Sequence, residues 1–156
     1  MLEIKVPGKV NYTIKNLILD LNGTIALDGK IISGVREKVV ELVRNVDVIV
    51  VTADTNKNAE KLLRSLPVTL CIINETEEEK QKLALVREKG KDYTVSIGNG
   101  CNDVSMLRES AIGICIVGDE GASADAITSS DLVVSSIINA LDLLLKPHRL
   151  RASLRR

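Results

Sequence analysis

Short, continuously apolar runs alternate with amphipathic stretches along most of this chain. The runs occupy residues 17–19, 46–51, 68–73, 94–97, 112–117 and 132–134. Each has strand length, and most are rich in Val and Ile, whose branched side chains suit a packed, pleated surface. Within a run the residues do not alternate with polar ones, which is the pattern of strands buried on both faces. Between the runs, apolar residues recur at helical spacing: Val35, Val39, Leu42 and Val43, then Ala59, Leu62, Leu63 and Leu66. Leu83, Leu85 and Val86 sit among the charges of segment 77–89, and Ile137, Ile138, Leu141, Leu144 and Leu145 form a last apolar face. Strands alternating with helices predict βαβ units, and so an α/β fold on a mostly parallel sheet with helices on both faces.

Residues 2–6 and 12–14 read as two further short strands around the Pro7-Gly8 turn. Segment 25–34 has room only for a small hairpin, with Leu27-Asp28-Gly29-Lys30 as its turn. No linker, repeat or low-complexity stretch breaks the pattern, and the gaps are short. A single domain over 1–156 is expected, with 146–156 as a basic C-terminal tail.

Composition narrows the class. The chain of 156 residues is 45% hydrophobic, but it has no Phe or Trp and only two Tyr. Aromatic platforms for stacking bases or sugars are therefore nearly absent. Lys+Arg and Asp+Glu balance at 21 each, which argues against electrostatic capture by nucleic acid or a membrane. Cys71, Cys101 and Cys115 have neither C-x-x-C nor metal-type spacing, so free thiols in a reducing compartment are expected. Cys71 and Cys115 lie in apolar runs and read as core. The first ten residues alternate in charge and have no apolar signal core. No run approaches the ~20 residues of a membrane helix. The expectation is a soluble, cytoplasmic protein.

Candidate chemistry gathers where the strands end. The run 17–19 ends on Asp20, followed at once by Leu21-Asn22-Gly23-Thr24. A carboxylate at the carboxyl end of a parallel strand lies where open α/β sheets bind ligands. Thr52 ends the run 46–51 in the same way, with Asp54 and Thr55 behind it as caps for the next helix. Gly98-Asn99-Gly100-Cys101-Asn102-Asp103 follows the run 94–97 and opens a helix, whose N-terminus favours anions. An aspartate can accept a phosphoryl group as an aspartyl-phosphate, provided Mg²⁺ and positive side chains offset the charge. Lys80 and Lys82 are the available lysines, although each alone also reads as a solvated face beside the acidic run 75–79.

Other polar features carry less. Gly118-Asp119-Glu120-Gly121 reads as a surface loop capping the next helix, at a strand end within reach of substrate. His148, the only histidine, follows Pro147 near the C-terminus, away from the candidate chemistry. Arginines 149, 151, 155 and 156 suit RNA or a phosphoprotein, but with no basic surplus elsewhere they read better as a solvated or partner-contacting terminus.

Asp20-Leu21-Asn22-Gly23-Thr24, the strand end at Thr52, a following lysine and Gly98-Asn99-Gly100-Cys101-Asn102-Asp103 together resemble the four motifs of the haloacid dehalogenase (HAD) superfamily. The likeness is strongest to its small members similar to the phosphorylation domain of P-type ATPases, and it runs from about residue 16 to 145. It implies a three-layer, Rossmann-like core without a cap domain, because the two places where relatives insert caps are too short here. It implies Asp20 as nucleophile and metal ligand, with Mg²⁺ also held by the main-chain carbonyl of Asn22 and by Asn99. Asp103 would hold the metal's water shell or the lysine, and Thr52 would donate to a phosphoryl oxygen. Lys82, preferred over Lys80 for its spacing to the fourth motif, would offset charge. Gly23, Thr24, Ala53 and Gly100 would border the phosphoryl group.

Two departures matter. Asn22 stands where phosphatases of the superfamily carry a general acid/base aspartate, and Asn99 stands for an acidic metal ligand. An amide cannot give or take a proton at neutral pH, and losing such help typically costs about 10²–10⁴-fold. Two carboxylates, Asp20 and Asp103, remain where many relatives have four, so weaker Mg²⁺ binding is expected. The resemblance thus implies a Mg²⁺-dependent phosphate-monoester hydrolase or phosphotransferase, slowed by Asn22. Its partner is a phosphorylated substrate, small or macromolecular; without a cap, a neighbouring subunit of a homo-oligomer is one way to cover the site. The alternative is a catalytically weak regulatory protein that binds phosphate, nucleotide or RNA on the same scaffold.

Overall fold

The computed structural model describes residues 1–8, 10–53 and 58–155. The helix-capping roles expected of Asp54 and Thr55, and Arg156 of the tail, lie outside the described residues. The central strand β3 (Asn16–Asp20) is buried along its whole length. On one side of it lie β6 (Asp47–Thr52) and then β7 (Thr69–Ile72). On the other lie β8 (Thr94–Gly98), β9 (Ile112–Ile116) and β10 (Leu132–Val134). All five pairings are parallel, giving a six-stranded sheet in the order β10-β9-β8-β3-β6-β7.

The unbroken apolar runs are explained by two-sided burial. Leu17 and Leu19 of β3, with Val48 and Val50 of β6, face the main core. That face is covered by α1 (Val35–Leu42), α2 (Ala59–Leu63) and α6 (Ile137–Leu145). Ile18, Ile49 and Val51 face the other way, against α3 (Glu78–Lys89) and α4 (Val104–Glu109), which supply Leu85, Val86 and Met106. Beside them Ala126 of α5 (Ala124–Ser129) packs on Leu107 and Cys115. The result is the expected three-layer α/β architecture. Gly113 of β9 is what lets α4 lie so close: a Cβ there would stand 2.1 Å from the Leu107 carbonyl oxygen.

Two hairpins complete the fold. β1 (Leu2–Lys5) pairs antiparallel with β2 (Asn11–Ile14). β4 (Ala26–Leu27) pairs with β5 (Lys30–Ile31) across Asp28 and Gly29, whose φ values of 50° and 73° give the left-handed pair that a two-residue hairpin turn needs. This hairpin fills the interval between β3 and α1, and only residues 73–77 separate β7 from α3, so neither place carries a cap.

Two expectations are corrected. The basic tail is not a free, solvated terminus. It forms α7 (Pro147–Leu154), which opens on a proline and buries Leu150 and Leu154 in the main core. The two leucines are four apart and so share one face, while Arg149, Arg151 and Arg155 remain exposed. His148 is exposed on the same helix. Cys71, expected in the core, is only half-buried because it sits on the edge strand β7; Cys115 is buried and Cys101 exposed. Among the described residues no helix is long and apolar enough to cross a membrane.

Candidate active site

The chain leaves β3 toward β6 and β7, then returns to the other side for β8, β9 and β10. That reversal is a topological switch point, where strand ends splay and leave a crevice. Asp20 is the last residue of β3, Thr52 the last of β6, and Asn99 follows β8, so the topology brings three of the predicted residues to one edge.

Behind Asp20 lies a buried clamp. The Lys82 ammonium donates to Asp20 Oδ1 and Asp103 Oδ1, each at 2.7 Å. Lys82 is 1% exposed, Asp20 7% and Asp103 0%. Burial, then the charge of Asp103, push the Asp20 carboxyl up to about 6, against the pull of Lys82 and a hydrogen bond from Thr24. For Lys82, burial alone would lower the ammonium, but the two carboxylates outweigh it and hold the group above its ordinary value. Lys80 is instead exposed and paired with Glu77. The reason is helical phase: Lys82, Leu85 and Val86 form the buried face of α3, and Lys80 lies off it.

Asp103 organises the loop after β8. Its Oδ2 accepts the backbone N–H of Asn99 at 2.9 Å and of Gly100 at 3.0 Å. Gly98 makes room for it, since a Cβ there would lie 2.4 Å from Asp103 Cγ. The same loop is tied to the start of α3, because Asn102 Nδ2 donates to Glu78 Oε2 at 2.6 Å and Ser105 donates to Glu79. The helix that carries Lys82 and the loop that carries Asp103 are thus locked together.

Both ends of the Asn99 amide are engaged. Its Nδ2 donates to the Gly121 carbonyl at 3.1 Å, and its Oδ1 lies 3.3 Å from the Thr24 hydroxyl, which also donates to Asp20 Oδ2 at 3.1 Å. Thr24 itself is fully buried, so it supports Asp20 from behind.

In front of the clamp is a cavity of about 340 Å³. Asp20, Asn22, Thr52, Ala53, Asn99 and Gly100 line it, as do Asn102 of the same loop and two residues outside the four motifs, Glu78 and Glu120. Lys82, Thr24 and Asp103 stand behind this lining rather than on it. Glu120 folds over Gly23, where a Cβ would meet its Oε2 at 2.2 Å and Asn99 Nδ2 at 3.0 Å. Gly23 has a φ of 77°, so both conformation and space call for glycine there. A signal for Glu78 exists in the sequence: it precedes Lys82 by four residues and so shares its helix face. For Glu120 the only signal is a loop leaving a strand at the same sheet edge.

No family model matches the chain. An uncharacterized protein of Methanocaldococcus jannaschii is 45% identical over 82 residues, which cover 50% of this chain and 88% of that protein. A copper-exporting P-type ATPase of Staphylococcus epidermidis is 30% identical over 136 residues, 85% of this chain. Among solved structures, the cobalt-bound deoxy-D-mannose-octulosonate 8-phosphate phosphatase of Haemophilus influenzae superposes with a TM-score of 0.72. It is 15% identical, and the match covers 88% of this chain and 90% of that one. The chain has the fold of the phosphatases of the haloacid dehalogenase superfamily. It spans only 16% of the copper transporter's length.

The resemblance to the HAD superfamily implies a divalent cation, and the chemistry of the donors here fits one. Residues lining the cavity beside Asp20 carry oxygen donors: its own carboxylate, the Asn99 amide oxygen, and the Glu78 and Glu120 carboxylates. Among the described residues no three His, Cys, Asp or Glu side chains converge as a ready-made cluster. Mg²⁺ suits such a place, because it is commonly held by one or two carboxylates and keeps several waters.

Proposed function

We propose that this chain is a HAD-type phosphate-monoester hydrolase, with phosphoryl transfer to other acceptors as a variant of the same chemistry, working through an aspartyl-phosphate on Asp20. The observation that carries the reading is the buried Lys82 ammonium shared by Asp20 and Asp103. A carboxylate so placed at a strand end faces the cavity with part of its charge already offset. In the proposed step an Asp20 oxygen attacks phosphorus in line, the bond from phosphorus to the ester oxygen breaks, and the leaving alcohol takes a proton from water. A water then attacks the aspartyl-phosphate, releasing inorganic phosphate and restoring the carboxylate.

Mg²⁺, bound by Asp20, the Asn22 main-chain carbonyl and Asn99, would neutralise the phosphate dianion on approach. Thr52 would donate its hydroxyl to a phosphoryl oxygen, with Gly23, Ala53 and Gly100 bordering the group. Thr24 would hold Asp20 in place, and Asp103 would hold Lys82. Asn22 has no proton to give to the alcohol or take from the attacking water, so turnover is slow.

The test is phosphate release from p-nitrophenyl phosphate with and without Mg²⁺. Mg²⁺-dependent release that vanishes in Asp20→Ala supports the reading. Release in the wild type no greater than in the variant overturns it and favours a phosphate-binding protein. Asn22→Asp is expected to raise turnover by about tenfold or more, within the range ascribed to general acid–base help. An unchanged or lower rate would remove Asn22 from the general acid/base position.

A further inference from the structure

The cavity in front of Asp20 adjoins a larger one. Asn22 and Ala53 line both, and the second has a volume of about 710 Å³. It lies between α1 and α2, under the tip of the β4–β5 hairpin, where Gly29 lines it. A volume of this size falls within the about 300–1,000 Å³ of small-molecule pockets, and it opens on the residues that border the ester oxygen in the proposed reaction.

The two cavities have opposite character. The one at Asp20 is lined by three carboxylates, of Asp20, Glu78 and Glu120. The larger one is lined by Arg36 and Lys61, and by no acidic residue among those described. Arg36 donates from Nη1 to the Ser65 carbonyl at 3.0 Å, which ties the guanidinium of α1 to the segment after α2. A guanidinium has five N–H donors, so this bond leaves others for a ligand. Neither Arg36 nor Lys61 forms an ion pair with another described residue. Beside them the wall is aliphatic, with Leu21 and Leu62.

We infer that the substrate is a small phosphate monoester whose organic part carries a second anionic group, held by Arg36 and Lys61 in this cavity. The inference rests on the hydrolase reading above. With the phosphoryl group at Asp20, the leaving group passes Asn22 and Ala53 and reaches Arg36 and Lys61. A neutral sugar would leave both cations without a partner, whereas a carboxylate or a second phosphate pairs with them. Charge-assisted contacts of this kind are the strong class of hydrogen bond, and about 1.4 kcal/mol of discrimination is tenfold in rate or affinity.

The experiment compares three probes of similar size with the full chain and Mg²⁺: glucose 6-phosphate, 6-phosphogluconate and fructose 1,6-bisphosphate. The first has a neutral organic part, the second a carboxylate and the third a second phosphate. p-Nitrophenyl phosphate serves as the reference for the hydrolase reading itself. The wild type is expected to prefer one or both doubly anionic probes over glucose 6-phosphate by about tenfold or more in kcat/KM. Which of the two it favours identifies the anion. In Arg36→Ala combined with Lys61→Ala that ratio should fall toward one, chiefly through KM. Arg149→Ala, on the exposed face of α7, should leave the ratio as in the wild type. Both test positions are exposed, so their loss does not touch the core. Equal kcat/KM for all three probes, or a preference that survives the double substitution, overturns the inference while p-nitrophenyl phosphate turnover keeps the hydrolase reading standing. No Mg²⁺-dependent release from any of the four overturns both.

Discussion

The candidate site has a buried half and a cavity-facing half, and they match the HAD motifs that the sequence resembles to different degrees. Asp20, Lys82 and Asp103 form the buried half and keep the residue types of the resemblance. Asn22 and Asn99 form the other half; they border the cavity, and both have lost the acid. The difference follows from electrostatics. In the clamp every charge is desolvated and the two carboxylates share one cation, so removing Lys82 strands both in a low-dielectric interior. At the cavity edge water or a cation can take up a change in charge, so an amide there costs the fold little. The clamp is constrained by folding as well as by chemistry, and the edge by chemistry alone.

The largest test of that contrast is Lys82→Met. It fits the aliphatic stem but leaves Asp20 and Asp103 as two buried carboxylates with no counter-charge. Breaking a buried pair in this way typically costs about 3–5 kcal/mol. Denaturant unfolding should show a loss of that order, together with loss of phosphate release. A variant within about 1 kcal/mol of the wild type would mean that the clamp does not hold the fold together, and the contrast would fail.

Asp20→Asn should go the other way. The three charges of the clamp sum to one negative, and the amide brings them to zero. Its oxygen still accepts from Lys82, and its nitrogen can donate to Thr24. The sign with pH follows from the raised carboxyl. The folded protein holds the Asp20 proton more tightly, at about 6, than the unfolded chain at 3.8. What this group adds to stability is therefore fully present below 3.8 and is lost as pH rises through about 6. At pH 7.5 without metal, Asp20→Asn should melt higher by about 2–4 °C, the shift that roughly 1 kcal/mol makes in a chain of this size. The gap should close as the buffer is taken below pH 4, while turnover stays abolished throughout. A variant less stable than the wild type at pH 7.5 would show that the clamp is not over-charged.

How far all this was legible in the sequence depends on whether the signal is local. Leu17 to Leu19 and Ile112 to Ile116 announce central strands, because two-sided burial leaves no polar position to interrupt them. Asp28-Gly29 announces its hairpin because few residue pairs adopt two left-handed conformations in succession. Lys82 is half legible: spacing to the fourth motif favours it, and so does its position three and four residues before Leu85 and Val86. The apolar face of α7 was hidden by the arginines interleaved with Leu150 and Leu154. Glu120 is legible only as part of a loop leaving a strand at the site's edge, and the Arg36–Lys61 cavity has no local signature, since it depends on elements distant in sequence meeting there.

The gentlest test is Asn99→Asp, at the cavity edge. A carboxylate here adds a negative charge where a cation is expected, so Mg²⁺ affinity should rise by about tenfold. It also removes the amide N–H that donates to the Gly121 carbonyl and sets two oxygens against each other at about 3 Å. Losing one such bond costs about 0.5–1.5 kcal/mol, which should appear as a small drop in metal-free stability that saturating Mg²⁺ reverses. Proton linkage sharpens the measurement. Because Asp20 is held near 6, protons compete with the cation below that pH, and Mg²⁺ affinity in the wild type should weaken by up to about tenfold per unit as pH falls from 6 to 5. Titration calorimetry at pH 5, 6 and 7.5 on both proteins reads all of this. Unchanged affinity in Asn99→Asp would mean that the Asn99 oxygen does not face the cation. A stability loss as large as that of Lys82→Met, and not recovered by Mg²⁺, would make the edge as structural as the clamp.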